Sequence, residues 1–350
     1  MTDKTASPGG RKRRPRLLAL GDLVLDVVVR PDEPAAAGTD VAGVLELRAG
    51  GSAANTARAF AALGGEAALL AAVGDDALGQ RLVRALRADG VRVHAPLVSN
   101  QPTARLAVLV DPRGERTFVT QRGAADWLRQ REARAALVRR VDALHLPAYS
   151  LVNEPLRFAA LAAAGQARDA GRLVSVDLAS RRPLLSRGRQ AAWTLIGEAA
   201  ADIVFANADE ARALAGADLP RLLELAPIVV IKEGSAGCRV LWLATGGRAA
   251  NNSGERAGER KRGVLELAVA TAPLRARDTT GAGDAFDAGF LHSLLEQSLA
   301  RGSARASVAA ASGSDQTAGL RRAQVLRRAA MAGHRSAAAL LSRSRPELAL

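Results

Sequence analysis

Short apolar runs alternate with longer amphipathic stretches through most of this chain, and that rhythm restricts its fold more than any other feature. LLALGDLVLDVVV (17–29) is followed by AANTARAFAAL, AALLAAVG and ALGQRLVRALRADG, and further strand-like runs come at DALHLPA (142–148), RLVSVDLA (172–179), DIVFAN (202–207) and PIVVIKEG (227–234). Strands separated by helix-length segments need crossover connections, so the expected class is α/β with a mainly parallel central sheet covered on both faces.

Two segments break the rhythm. GTDVAGVLELRAG (38–50) and TARLAVLVDPRGERTFVTQRG (103–123) alternate apolar with polar residues, and the second turns around Pro112-Arg113-Gly114. Both read as antiparallel pieces outside the main sheet, and a small β lid built from about 33–50 and 95–123 is the expectation. Residues 246–263 are rich in Gly, Asn and charge without apolar period and read as a long surface loop.

At 350 residues with 48% hydrophobic content the chain can build a real core. One cysteine, Cys238, rules out an internal disulfide and suits a reducing cytoplasm; four scattered histidines argue against structural zinc. No apolar run is long enough for a membrane span. The net charge of +14 raises nucleic acid as a partner, but residues 1–16 carry +5 and residues 321–350 carry +6, leaving +3 for everything between. Basic solvated tails at 1–16 and 326–350 around a near-neutral domain (17–325) are therefore favoured over a nucleic-acid surface, and aromatic residues at 3% leave few platforms for bases.

The chemistry concentrates in DTTGAGDAFDAGF (278–290). Phe286, Phe290 and Leu294 recur at helical spacing, so a glycine turn opens a helix at about Asp284. Gly281 and Gly283 let backbone N–H groups approach an anion, and the helix macrodipole adds attraction. A carboxylate at that end would repel a phosphate unless it had a task; accepting the proton of an attacking hydroxyl is one, which makes Asp284 a candidate general base. Asp also caps helices, so the turn alone leaves both roles open. Gly281-x-Gly283-x-x-Phe286 lacks the third glycine of a dinucleotide fingerprint, and neither Lys232 nor Lys261 has a Walker A context.

With Gly50-Gly51-Ser52-Ala53-Ala54-Asn55-Thr56-Ala57 running into AALGGEAALLAAVGDDALGQ, and DTTGAGDAFDAGF about 230 residues later, the sequence resembles the ribokinase-like (PfkB) family of carbohydrate and nucleoside kinases over about residues 17–320. The resemblance implies a three-layer α/β/α domain with a β lid, ATP with Mg²⁺, and phosphorylation of a hydroxymethyl group on a sugar or sugar-like molecule. It makes GDLVLD (21–26) the first strand, with Asp26, Gly50, Gly51 and Asn55 holding the sugar. It places Ala282, Gly283 and Asp284 at the developing charge, with Asp284 as base.

Asn207 and Glu210 resemble the element that organises Mg²⁺ through water, although their spacing is also that of a helix cap. Lys232, Gly234 and Gly237 resemble the nucleotide loop. Asp278 and Thr280 match positions near a monovalent cation such as K⁺, and relatives often dimerise through the lid. Arg105 and Arg122 read as solvent-facing rather than as contacts for an acidic substrate. The rival reading is a catalytically weak sugar- or nucleotide-binding regulator on the same fold, against which the intact Asp284, Asn207 and Glu210 speak.

Overall fold

A computed structural model of the chain describes residues 13–34, 37–111, 116–243, 263–274, 276, 278–299, 316–343 and 347–348. The expected loop at 246–263 lies, apart from Gly263, outside these residues.

The strands run in chain order as β1 (Arg16–Leu20), β2 (Val24–Pro31), β3 (Gly43–Gly50), β4 (Glu66–Leu70), β5 (Val73–Gly74), β6 (Arg92–His94), β7 (Leu97–Val98), β8 (Arg105–Val110), β9 (Arg116–Gln121), β10 (Ala143–Pro147), β11 (Leu173–Asp177), β12 (Ile203–Asn207), β13 (Ile228–Lys232), β14 (Cys238–Leu243) and β15 (Val264–Val269). Nine of them form one sheet in the order β15-β14-β13-β12-β11-β10-β1-β4-β6. All pairs from β13 through β6 are parallel, and only β14 and β15 join antiparallel. The inner strands are buried along nearly their whole length, as expected when helices cover both faces. Two apolar clusters, one on each face, complete a three-layer α/β/α core. The chain moves outward from β1 to β4 and β6, then returns to β10 on the other side. The strand order reverses there, and open α/β sheets present a crevice beyond the carboxyl ends at such a point.

A second sheet, β3-β2-β8-β9, stands apart as the lid. Its recruitment of β2 corrects the expectation that GDLVLD (21–26) is the first strand: the first strand is Arg16–Leu20, and Val24 to Asp26 already belong to the lid. The chain breaks at Gly21-Asp22-Leu23, where the Asp22 carboxylate accepts from the Ala53 amide (3.4 Å) and from Arg122 Nη1 (3.1 Å). A charged group held by those two partners ends the main-sheet strand, and the next apolar run starts the lid. Arg122 is consequently not solvent-facing: it bridges Asp22 and Asp126 and lies over the Tyr149 ring. Arg105, at the start of β8, is exposed as expected.

The described residues of both expected tails are less tail-like than their composition suggests. Arg13 donates to Asp142 (2.7 Å), and Arg16 already belongs to β1. A boundary at 325 falls inside the helix Gln316–Leu341, which buries Leu326, Ala329 and Ala330 against the helix Ala282–Leu299. The crossing is tight. A Cβ on Gly289 would stand 2.6 Å from the Ala332 carbonyl oxygen, and one on Gly333 would stand 2.8 Å from the Phe286 ring. The amide of Leu348 also donates to the carbonyl of Leu47 in the lid (2.7 Å). Among the described residues no helix is long and apolar enough to cross a membrane.

Candidate active site

The carboxyl ends of β11, β12 and β13 place Asp177, Asn207 and Lys232 side by side, with Asn207 and Lys232 in direct register. Above them the helix Ala282–Leu299 begins two residues earlier than its apolar spacing predicts, after Gly281 at φ +70. A residue with a side chain resists that backbone conformation.

Asp284, in the first turn of this helix, meets the other motif. Ser52 Oγ donates to its Oδ1 (2.6 Å) and Asn55 Nδ2 donates to its Oδ2 (2.9 Å). Ser52 and Asn55 sit in the first turn of the helix Ser52–Ala62, which opens at Gly51. Gly51 has φ +104, and a Cβ there would lie 2.5 Å from the Asp22 carbonyl oxygen. Burial pushes the Asp284 carboxyl up to about 6; the Ser52 and Asn55 hydrogen bonds and the Lys232 charge oppose the rise, and the Asp177 charge adds to it. A carboxylate so placed is ionised at neutral pH yet basic enough to take a proton.

Asp26 lies on β2 and is 3% exposed. A Cβ on Gly50 would come within 2.1 Å of its Oδ2, so glycine is required for the carboxylate to sit where it does. Asp26 thus adjoins Gly50, and the next residue, Gly51, opens the helix whose Asn55 meets Asp284. Of the three amides expected to face an anion, that of Ala282 donates to the Thr279 carbonyl (3.2 Å).

On the other side of the turn a cavity of about 440 Å³ is lined by Asn207, Asp209, Arg212, Lys232, Gly234 and Ala236. Gly237 serves a different purpose: with φ +106, it lets β14 leave its turn where a Cβ would meet the Val269 carbonyl oxygen at 2.2 Å. Asn207 and Glu210 form a complete capping box, each side chain accepting the other's amide at 2.8 Å. Burial, reinforced by the Asp177 charge, pushes the Glu210 carboxyl up to about 7 against the opposing Lys232 charge and Asn207 amide. These two groups already serve the backbone, so they suit an ion held through water rather than by direct coordination. No group of three or more His, Cys, Asp or Glu among the described residues is arranged to hold a metal directly.

Three residues that motif reasoning passed over, Asp177, Asp287 and Arg48, join the site. Lys232 Nζ donates to Asp177 (3.1 Å) and to both oxygens of Asp287 (3.1 and 3.2 Å), and a Cβ on Gly283 would lie 3.3 Å from it. Burial disfavours the ammonium, but Asp177, Asp287 and Glu210 raise its pKa far more. Asp287 is completely buried, and burial together with the Asp177 charge pushes its carboxyl well above the ordinary range. Its position as the third acid of DTTGAGDAFDAGF was the available signal. Arg48 is the third: it reaches from the lid to Asp278.

The model of the pfkB family carbohydrate kinases matches residues 14–325, and this chain belongs to that family. It is 31% identical over 296 residues to probable fructokinase-5 of Arabidopsis thaliana, covering 80% of this chain and 83% of the relative. Its fold is shared with adenosine kinase from Sinorhizobium meliloti (25% identity, TM-score 0.72, 95% of this chain and 96% of that one). The same holds for fructokinase with bound ATP from Xylella fastidiosa (23% identity, TM-score 0.72, 94% and 93%). The chain is an ATP-dependent carbohydrate kinase of ribokinase-like architecture.

Proposed function

We propose that the enzyme phosphorylates a hydroxymethyl group of fructose or a closely similar sugar, with Asp284 as general base. The observation that carries this reading is the pair of hydrogen bonds from Ser52 and Asn55 to Asp284, which joins the sugar-side motif to the glycine turn. Asp26, Gly50, Gly51 and Asn55 orient the substrate under the lid. The Asp284 carboxylate accepts the hydroxyl proton as the sugar oxygen bonds to phosphorus and the bond to the leaving nucleotide breaks. The amides of Gly283 and Asp284, at the positive end of the helix, stabilise charge on the transferred group. Asn207, Lys232 and Gly234 face the nucleotide in the cavity they line. Mg²⁺, held through water near Asn207 and Glu210, would offset phosphate charge.

The lid excludes water from the reacting atoms. Its face opposite Asp26 leaves Leu45, Leu109 and Val119 exposed, which supports pairing of two copies there. Fructose is placed first because of the fructokinase relatives at about 31% identity.

The test is ATP turnover against fructose, ribose, a keto-deoxy sugar acid, a sugar phosphate and adenosine. Fructose is expected to exceed the others in kcat/KM by about tenfold or more; a preference for adenosine would overturn the substrate assignment while leaving Asp284 in place. Gly50→Ala tests the sugar side separately. Its Cβ would displace the Asp26 carboxylate, so the sugar KM should rise about tenfold with kcat nearly intact. An unchanged KM would remove Asp26 from substrate binding.

A further inference from the structure

Arg48 stands directly opposite Asp26 across the antiparallel pair β2–β3, so both side chains leave the lid on the face turned to the site. It is 12% exposed. Its Nη1 donates to Asp278 Oδ2 and its Nη2 to Glu46 Oε2. Arg30 Nη1 lies 2.9 Å from Glu46, and Arg30 Nη2 lies 3.9 Å from Asp278. The other Asp278 oxygen, Oδ1, accepts the amide of Thr280 at 2.9 Å. Burial works to raise the Glu46 carboxyl, yet the hydrogen bonds and charges of Arg30 and Arg48 overcome it and hold the group below its ordinary value. Two guanidiniums and two carboxylates therefore neutralise one another beside the glycine turn.

This arrangement does not fit the monovalent cation that Asp278 and Thr280 suggest by resemblance. An ion there would have to share oxygens that already accept from a guanidinium and a backbone amide, and whose negative charge the guanidinium has largely compensated. It would also sit against two guanidiniums, and like charges at contact distance repel strongly in a partly desolvated site. A permanently charged side chain already occupies the acidic face of the turn.

We propose that Arg48 is a positioning residue that acts as the built-in counter-cation of the glycine turn, delivered by the lid, and that turnover accordingly needs no added monovalent cation. The proposal rests on the reading of residues 281–284 as the place where negative charge develops. It also explains why Arg48 is carried on the strand opposite Asp26: the strand pair that closes on the sugar brings the turn its charge.

The full chain is compared in KCl and in tetramethylammonium chloride at equal ionic strength, by thermal denaturation without substrates and by initial rates. Wild type should melt within about 1 °C in the two salts and turn over within roughly twofold. Arg48→Met exposes Asp278 to the solution. KCl should then raise its melting temperature by several degrees relative to tetramethylammonium and restore about tenfold in kcat, with the sugar KM altered less than about threefold. Arg48→Lys should remain indifferent to the salt. Should the methionine variant not fold, Arg48→Gln keeps a hydrogen-bond donor without charge and carries the same expectation.

Activation of wild type by KCl of about tenfold, or a neutral variant no more responsive to KCl than wild type, overturns the proposal. The melting comparison needs no turnover, so it decides this question even in a preparation whose inactivity would count against the proposed reaction.

Discussion

Asp284→Asn should lose about 10²- to 10⁴-fold in kcat while its sugar KM stays within a few-fold of wild type. The substitution preserves shape and can still accept one hydrogen bond from Ser52 or Asn55, so what it removes is the proton acceptor. The pH profile supplies an independent reading. With the Asp284 carboxyl pushed up to about 6, the wild-type rate should be level near neutrality and fall as pH drops through that value. Stability should move the other way. A carboxyl whose folded pKa lies above its unfolded one binds protons more readily in the folded state, so folding is favoured at low pH and loses that contribution as pH rises through about 6. The asparagine variant escapes this cost and should melt no lower than wild type at neutral pH. A kcat within about threefold of wild type would reduce Asp284 to a helix-end residue.

Much of this site was legible because its two motifs are local, glycine-marked and ordered. The alternation of apolar runs implied the parallel sheet, and the spacing of Phe286, Phe290 and Leu294 located, to within two residues, the helix whose first turn holds Asp284. Less legible were features whose causes lie far away in sequence. The run 17–29 is equally apolar on both sides of Gly21-Asp22, and only Ala53 and Arg122, 31 and 100 residues from Asp22, decide that the chain leaves one sheet for the other. Ala/Arg-rich composition suggested a tail near the C-terminus because it conceals an apolar stripe. Leu326, Ala329 and Ala330 form that stripe, and Gly289 and Gly333 allow the backbones to approach. Ion clusters leave no periodic trace at all. Nothing near Arg48 in the sequence points to Asp278, 230 residues away.

The largest loss of stability is expected from Lys232→Met, about 3–5 kcal/mol, because it strands buried carboxylates rather than merely removing a bond. Lys232 Nζ lies 3.1 Å from both Asp177 and Asp287, and the Asp287 side chain is 0% exposed. The methionine fills a similar volume, so packing is nearly conserved and the effect isolates charge. Without the ammonium, each remaining carboxylate is stabilised by protonation. The deficit against wild type, measured by urea denaturation, should therefore be smaller at pH 5 than at pH 8. Adding Asp287→Asn to Lys232→Met should recover part of the loss, since it removes the most buried of the stranded charges.

A deficit below about 1 kcal/mol, independent of pH, would mean that water reaches the cluster and that Lys232 contributes little to the fold. If that small deficit came with a large rise in the KM for ATP, the lysine would belong to nucleotide recognition in the adjoining cavity. A large, pH-dependent deficit makes it, beside any nucleotide contact, the pin that fixes the glycine turn to the ends of β11 and β13, because the helix carrying Asp287 has Gly283 and Asp284 in its first turn.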